Sequence, residues 1–176
     1  MFAGKSTELL RRINRYKILG KGVLAVNHST DVRYGPASEI NTHDQQTLEG
    51  CIFVSALCDM IWEEETRSKY EAADVIVIDE LQFYPDALTF IQKAVDEDGK
   101  TVVAAALKGD FNRIPFEPVS QVIPYADSIV DLPALCRRCG DGTEAPFTKR
   151  NTESQEKKVI GGAETYEAVC RQHLLS

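Results

Sequence analysis

The stretch "DVIVIDE" (residues 74–80) decides the architecture. Val75 to Ile78 is β-branched at every position, the pattern of a strand buried on both faces. Two carboxylates, Asp79 and Glu80, follow at its C-terminal edge, where open α/β sheets bind their ligands. Neighbouring residues of a regular strand point to opposite faces, so the two acids are expected to have different tasks. A plain strand running out into water is the alternative reading of the same residues.

Elements alternate on both sides of this strand. Upstream, residues 6–19 read as a helix, with Leu9, Leu10, Ile13, Tyr16 and Leu19 in an i, i+3/i+4 stripe and Gly20 as its stop. "GVLAV" (22–26) reads as a strand, 27–47 as a long polar loop, "CIFVSAL" (51–57) as a strand and 59–73 as a helix. Downstream, Pro85 and Asp86 open a helix with Leu88, Ile91, Ala94 and Val95 on one side and Gly99 past its end. "TVVAAAL" (101–107) follows as a second buried strand, and "SIVDL" (128–132) as a last one. Such alternation implies right-handed crossovers and a parallel sheet covered by helices. The chain is therefore expected to be α/β.

Composition narrows the function. The 176 residues are 43% hydrophobic and 27% charged, as in ordinary soluble proteins, and 20 basic against 27 acidic residues give a net charge of −7. That sign does not favour sequence-independent binding of duplex nucleic acid. No apolar run approaches a membrane span and no signal peptide leads the chain, so neither nucleic acid nor membrane is an expected partner and the cytoplasm is the expected compartment.

"GKST" (Gly4–Thr7) opens the first helix and matches the second half of the phosphate-loop pattern G-x-x-x-x-G-K-[ST]. Helix N-terminal N–H groups receive phosphate, a lysine at position 5 reaches the outer phosphates, and the Ser6 hydroxyl suits Mg²⁺. Asp79 suits the acid that attends the same ion. A solvated lysine beside a serine cap is the blander alternative.

Beyond Pro133 long apolar runs give way to turn formers, so the chain is read as two units, 1–132 and 133–176. Three of the five cysteines fall in the second unit: "CRRC" (136–139), thirty residues, then "CRQH" (170–173). Paired knuckles of this spacing supply four ligands to tetrahedral zinc. Cys136, Cys139, Cys170 and His173 are thus expected to hold a closed, structural Zn²⁺ that supports a module poor in apolar residues.

In order and spacing, "MFAGKSTELLRR", "DVRYG…THD", "VIDELQFYPD", "GDFNRIPF", "CRRC", "FTKR" and "VIGGAETYEAVCRQH" resemble the type II thymidine kinases, the zinc-bearing cytosolic class, over essentially the whole chain. The resemblance implies a P-loop NTPase-like parallel sheet flanked by helices, plus a small zinc-binding lasso domain. It implies transfer of the γ-phosphate of ATP, with Mg²⁺, to the 5′-hydroxyl of thymidine. Gly4, Lys5, Ser6 and Thr7 match the phosphate loop, Asp31 and Arg33 a pair serving the metal and phosphates, Asp79 the Mg²⁺-associated acid and Glu80 the general base. Leu10, Phe83, Leu107, Phe111 and Phe116 match walls of the thymidine pocket. Thr148, Val159, Gly161 and Tyr166 fall in the lasso that reads the base largely through backbone groups. A homotetramer and feedback inhibition by thymidine triphosphate are implied as well.

Three departures stand out. Leu81 occupies a position usually small, which would alter space near the base. Lys108 reverses a local charge. An apolar strand and a glycine normally precede the equivalent of Met1, and without them the cradle and core would lose side chains worth ~1.5–3 kcal/mol each. Two alternatives follow: a deoxynucleoside kinase of shifted preference, and a non-catalytic relative that keeps zinc and oligomer surfaces.

Overall fold

Val75–Ile78 forms one of the two inner strands of a four-stranded, wholly parallel sheet, and all four of its residues are buried. The structure is a computed structural model that describes residues 2–29, 51–150 and 166–176, and the backbone of two short strands at 39–41 and 47–49. Helix α1 (Lys5–Ile18) leads into β1 (Val23–His28), the antiparallel pair β2 (Glu39–Asn41) and β3 (Thr47–Glu49), and β4 (Ile52–Val54). Helices α2 (Asp59–Trp62) and α3 (Glu64–Ala72) precede β5 (Val75–Ile78); α4 (Ala87–Ile91) runs on as a π-turn to Glu97, followed by β6 (Thr101–Ala104) and α5 (Glu117–Val122). The C-terminal part holds β7 (Ala134–Leu135), β8 (Glu144–Ala145), β9 (Phe147–Arg150), β10 (Tyr166–Val169) and α6 (Arg171–Leu175).

The sheet order is β4-β1-β5-β6. Side-chain alternation divides the core between its two faces. Ile76 and Ile78 join Leu24, Val26, Ile52, Tyr84 and Phe90 in one cluster, under α2 to α4. Val75 and Val77 join Leu9, Leu10, Ile13 and Ala25 in the other, under α1. A third cluster of small residues, with Ala134, Ala145, Ala168, Val169, Cys136 and Cys170, lies in the C-terminal part. Among the described residues no helix is long and apolar enough to cross a membrane.

Several elements differ from the sequence reading. Residues 128–132 form no strand: a strand needs a ladder partner, none of the described residues supplies one, and Ile129 and Val130 are exposed. The strand expected at 101–107 is shorter, and it is not buried throughout because β6 lies at an edge of the described sheet; Thr101 and Ala104 face outward. The helix expected over 59–73 breaks at Glu63, whose ψ of 130° is extended. The segment read as loop over 27–47 begins inside β1, contains β2 and ends on the first residue of its antiparallel partner β3. In α4 the buried face is Ala87, Phe90 and Ala94 rather than Leu88 and Val95, because the 0% exposed Phe90 ring sets the phase.

Candidate active site and metal centre

β1 and β5 are adjacent, yet the chain leaves β1 toward β4 on one side and returns to β5 on the other. Their C-terminal ends therefore flank the topological switch point, where ligands of parallel sheets bind. Asn27 and His28 end β1, and Asp79 and Glu80 follow β5.

The alternation of β5 carries through to Asp79, which falls on the face of Val75 and Val77, toward α1. Helix α1 starts at Lys5 because Gly4 takes φ +73°, a left-handed conformation that costs glycine nothing, and the Glu8 N–H returns to the Gly4 carbonyl at 2.9 Å. That turn directs Ser6 at the sheet, and its Oγ donates to Asp79 Oδ2 at 2.9 Å. Asp79 Oδ1 accepts the Glu80 N–H at 2.9 Å. Only 4% of Asp79 is exposed. Burial, then the neighbouring Glu80 charge, pushes its carboxyl up to about 6, against the pull of Lys5 and the Ser6 hydroxyl. A hydroxyl and a carboxylate oxygen, beside helix-start N–H groups that have no acceptor within the helix, form a set that suits Mg²⁺ and phosphate.

Glu80 has φ +54° and ψ 45°, a left-handed conformation that costs a non-glycine residue about 1–2 kcal/mol. The twist interrupts the alternation. Leu81 turns into the core, 2% exposed, and its N–H bonds the Ala105 carbonyl at 2.9 Å. Leu81 therefore packs into the cluster under α2 to α4. Gln82 is 3% exposed; its Nε2 donates to Glu80 Oε2 and its Oε1 accepts the Leu107 N–H at 3.1 Å. It orients the carboxylate, a role the sequence reading missed. Its one sequence signal was a polar residue between the apolar Leu81 and Phe83.

The remaining candidates disperse around this point. The Phe83 and Tyr84 rings lie 5.7 and 4.9 Å from the His28 ring, so His28 adds an aromatic wall beside the acids. Leu107, Phe111 and Phe116 are half-buried on the chain after β6, while Leu10 packs among Leu9 and Ile13 in the α1 cluster. Thr148 and Tyr166 stand on the paired strands β9 and β10. Lys108 meets Asp131 at 2.8 Å in an exposed ion pair, which contributes little. Asp31, Arg33, Val159 and Gly161 lie outside the described residues.

The two cysteine knuckles converge. Nδ1 of His173 lies 3.5, 3.4 and 3.4 Å from the sulfurs of Cys136, Cys139 and Cys170, and Cys139 and Cys170 are 3.8 Å apart. Four ligand atoms at Zn–S and Zn–N bond lengths would be separated by about 3.4–3.8 Å at tetrahedral corners. A disulfide would need about 2.05 Å. The donor set and its geometry thus fit a closed, four-coordinate metal site. The Cys170 N–H reaches Cys136 Sγ at 3.3 Å. Burial alone would raise the Cys136 thiol, but that N–H, the Cys139 N–H and the His173 ring together bring it down to about 6.

The family model described as thymidine kinase matches residues 1–174. A thymidine kinase of Vaccinia virus (strain Western Reserve) is 40% identical over 172 residues, covering 98% of this chain and 90% of that protein. The cytosolic thymidine kinase of Homo sapiens is 42% identical over 171 residues, covering 97% of this chain and 68% of that one. A Monkeypox virus thymidine kinase is 40% identical over 172 residues, covering 98% of this chain and 90% of that protein. With that similarity running through both the Ser6–Asp79 contact and the Cys₃His centre, the chain belongs to the thymidine kinase family.

Proposed function

We propose that this chain transfers the γ-phosphate of ATP to the 5′-hydroxyl of thymidine. The observation that carries the reading is the Ser6–Asp79 hydrogen bond, which fixes a phosphate-type helix start beside two sheet-edge carboxylates in a thymidine kinase family chain. The backbone of Gly4 to Thr7 and the Lys5 ammonium hold the phosphates, with Asp31 and Arg33 serving the same region. Ser6 and Asp79 would hold Mg²⁺, which when bound neutralises phosphate charge. Phosphoryl transfer needs positioning and charge compensation more than covalent help, and helix start and lysine supply both.

Glu80 accepts the 5′-hydroxyl proton. Gln82 holds its carboxylate through Nε2, so the base is oriented before the acceptor arrives. Leu10, Phe83, Leu107, Phe111 and Phe116 form the apolar side of the nucleoside site. Thr148, Val159, Gly161 and Tyr166 close over the base from the module 133–176, whose Cys₃His site takes structural Zn²⁺. The unit 1–132 carries the chemistry. A cytoplasmic homotetramer under feedback from thymidine triphosphate completes the proposal.

The test is a phosphorylation assay with Mg²⁺, ATP and thymidine, deoxyuridine or deoxycytidine as acceptor. Thymidine is expected to give the highest kcat/KM. A deoxycytidine preference would move the reading to the shifted kinase, and no product with any acceptor from folded, metal-loaded protein would favour the non-catalytic relative.

A further inference from the structure

We infer that Arg150 is a positioning residue that sets the nucleoside side of the site; the inference rests on the thymidine kinase reading above. Arg150 is the last residue of β9 and pairs across the ladder with Tyr166 on β10. Its guanidinium lies 3.9 Å from the Phe111 ring centroid and 5.2 Å from that of Tyr166. Nη2 donates to the Tyr166 hydroxyl at 2.7 Å. A planar guanidinium can stack on one ring while its edge hydrogen-bonds another group, which an ammonium cannot reproduce.

Phe111 sits in a loop braced against itself. Gly109 bridges to Pro115, Asp110 Oδ1 accepts the N–H groups of Asn112 and Ile114 at 2.8 and 2.9 Å, and the Asp110 N–H bonds the Ile114 carbonyl at 2.9 Å. A Cβ on Gly109 would stand 3.0 Å from that carbonyl oxygen, so only glycine fits without displacing it. The loop follows Leu107, whose N–H is held by Gln82, and Gln82 holds Glu80. On the other side, β10 runs through Val169 into Cys170 of the metal centre. Arg150 therefore joins two rigid parts, the metal-module hairpin and the loop tethered to the base. Its stacking on Phe111 and its hydrogen bond to Tyr166 both act on the nucleoside side, so it governs where the nucleoside rests rather than how fast its proton leaves.

The experiment compares Arg150→Met and Arg150→Lys with wild type, measuring kcat, KM for thymidine, KM for ATP and zinc content, with hydrogen–deuterium exchange over 109–115. Arg150→Met is expected to raise the thymidine KM about tenfold, as loss of a desolvated cation–π contact would, with kcat and the ATP KM within about threefold. Arg150→Lys should fall between, because it keeps charge but not the planar stack. Exchange over 109–115 should quicken in Arg150→Met whatever the activity. An unchanged thymidine KM with unchanged exchange overturns the inference. So does a parallel loss of zinc, kcat and both KM values in both variants, which marks a folding role only. If wild type phosphorylates no thymidine, the functional reading fails, and the exchange measurement alone decides the clamp.

Discussion

The Ser6 hydroxyl donates to the Asp79 carboxylate at 2.9 Å across 73 residues of sequence. This bond ties the first turn of α1 to the end of β5, so whatever moves the helix start moves the acid. The acid itself is held in an unfavourable state: it is buried and adjacent to Glu80, and its carboxyl is pushed up to about 6.

A pH dependence of stability follows, with the reverse of the usual carboxylate sign. Between its unfolded value of about 4 and its folded value of about 6, the native state keeps a proton the unfolded chain has lost, so stability falls as pH rises through that window. Above it the full cost, ~1–3 kcal/mol, is present. Asp79→Asn should remove it. In Mg²⁺-free buffer the variant's advantage over wild type should grow from pH 4 to pH 7, read as the difference between the two denaturation curves. An advantage that shrinks with rising pH would show Asp79 stabilised as an anion.

The C-terminal part should depend on metal. Its apolar cluster is made largely of alanines and cysteines, so little surface burial is available to fold it. Structural zinc contributes on the order of 10–16 kcal/mol to such small folds. Cys170→Ser should abolish stoichiometric zinc in elemental analysis and lower the melting temperature, and chelation of wild type should reproduce both. Wild type that melts identically with and without zinc would contradict this.

Packing on the opposite face makes a separate prediction. Phe90 is wholly buried, with its ring 6.1 Å from Tyr70 in an edge-on pair, and the Tyr70 hydroxyl donates to Asp98 at 2.6 Å. Phe90→Ala should cost about 3–5 kcal/mol in urea denaturation. A cost below about 1 kcal/mol would mean the site collapses around the gap.

What could be read in the sequence was what local pattern encodes. The run Val75 to Ile78, the Leu9, Leu10 and Ile13 part of the α1 stripe, and the two cysteine knuckles all stand where their periodicity and spacing put them, whereas Leu19, expected in the same stripe, lies past the helix end and is exposed. Residues 128–132 have strand-forming side chains, but strand formation depends on a partner that local pattern cannot specify. The face of α4 was misjudged because Phe90 outweighs Leu88 and Val95 in volume, and only the three-dimensional core decides between two stripes one residue apart. Gln82 and Arg150 escaped for a related reason: each matters through a neighbour far away in sequence, Leu107 in one case and Phe111 in the other.

The turnover of Glu80→Gln tests the central claim most directly, measured beside thymidine binding by calorimetry. A positioned general base contributes typically 10²–10⁴-fold, so kcat should fall at least about a hundredfold while thymidine still binds within a few-fold of wild type. Turnover within a few-fold of wild type would remove Glu80 from proton transfer and contradict a catalytic role for the acid that follows β5.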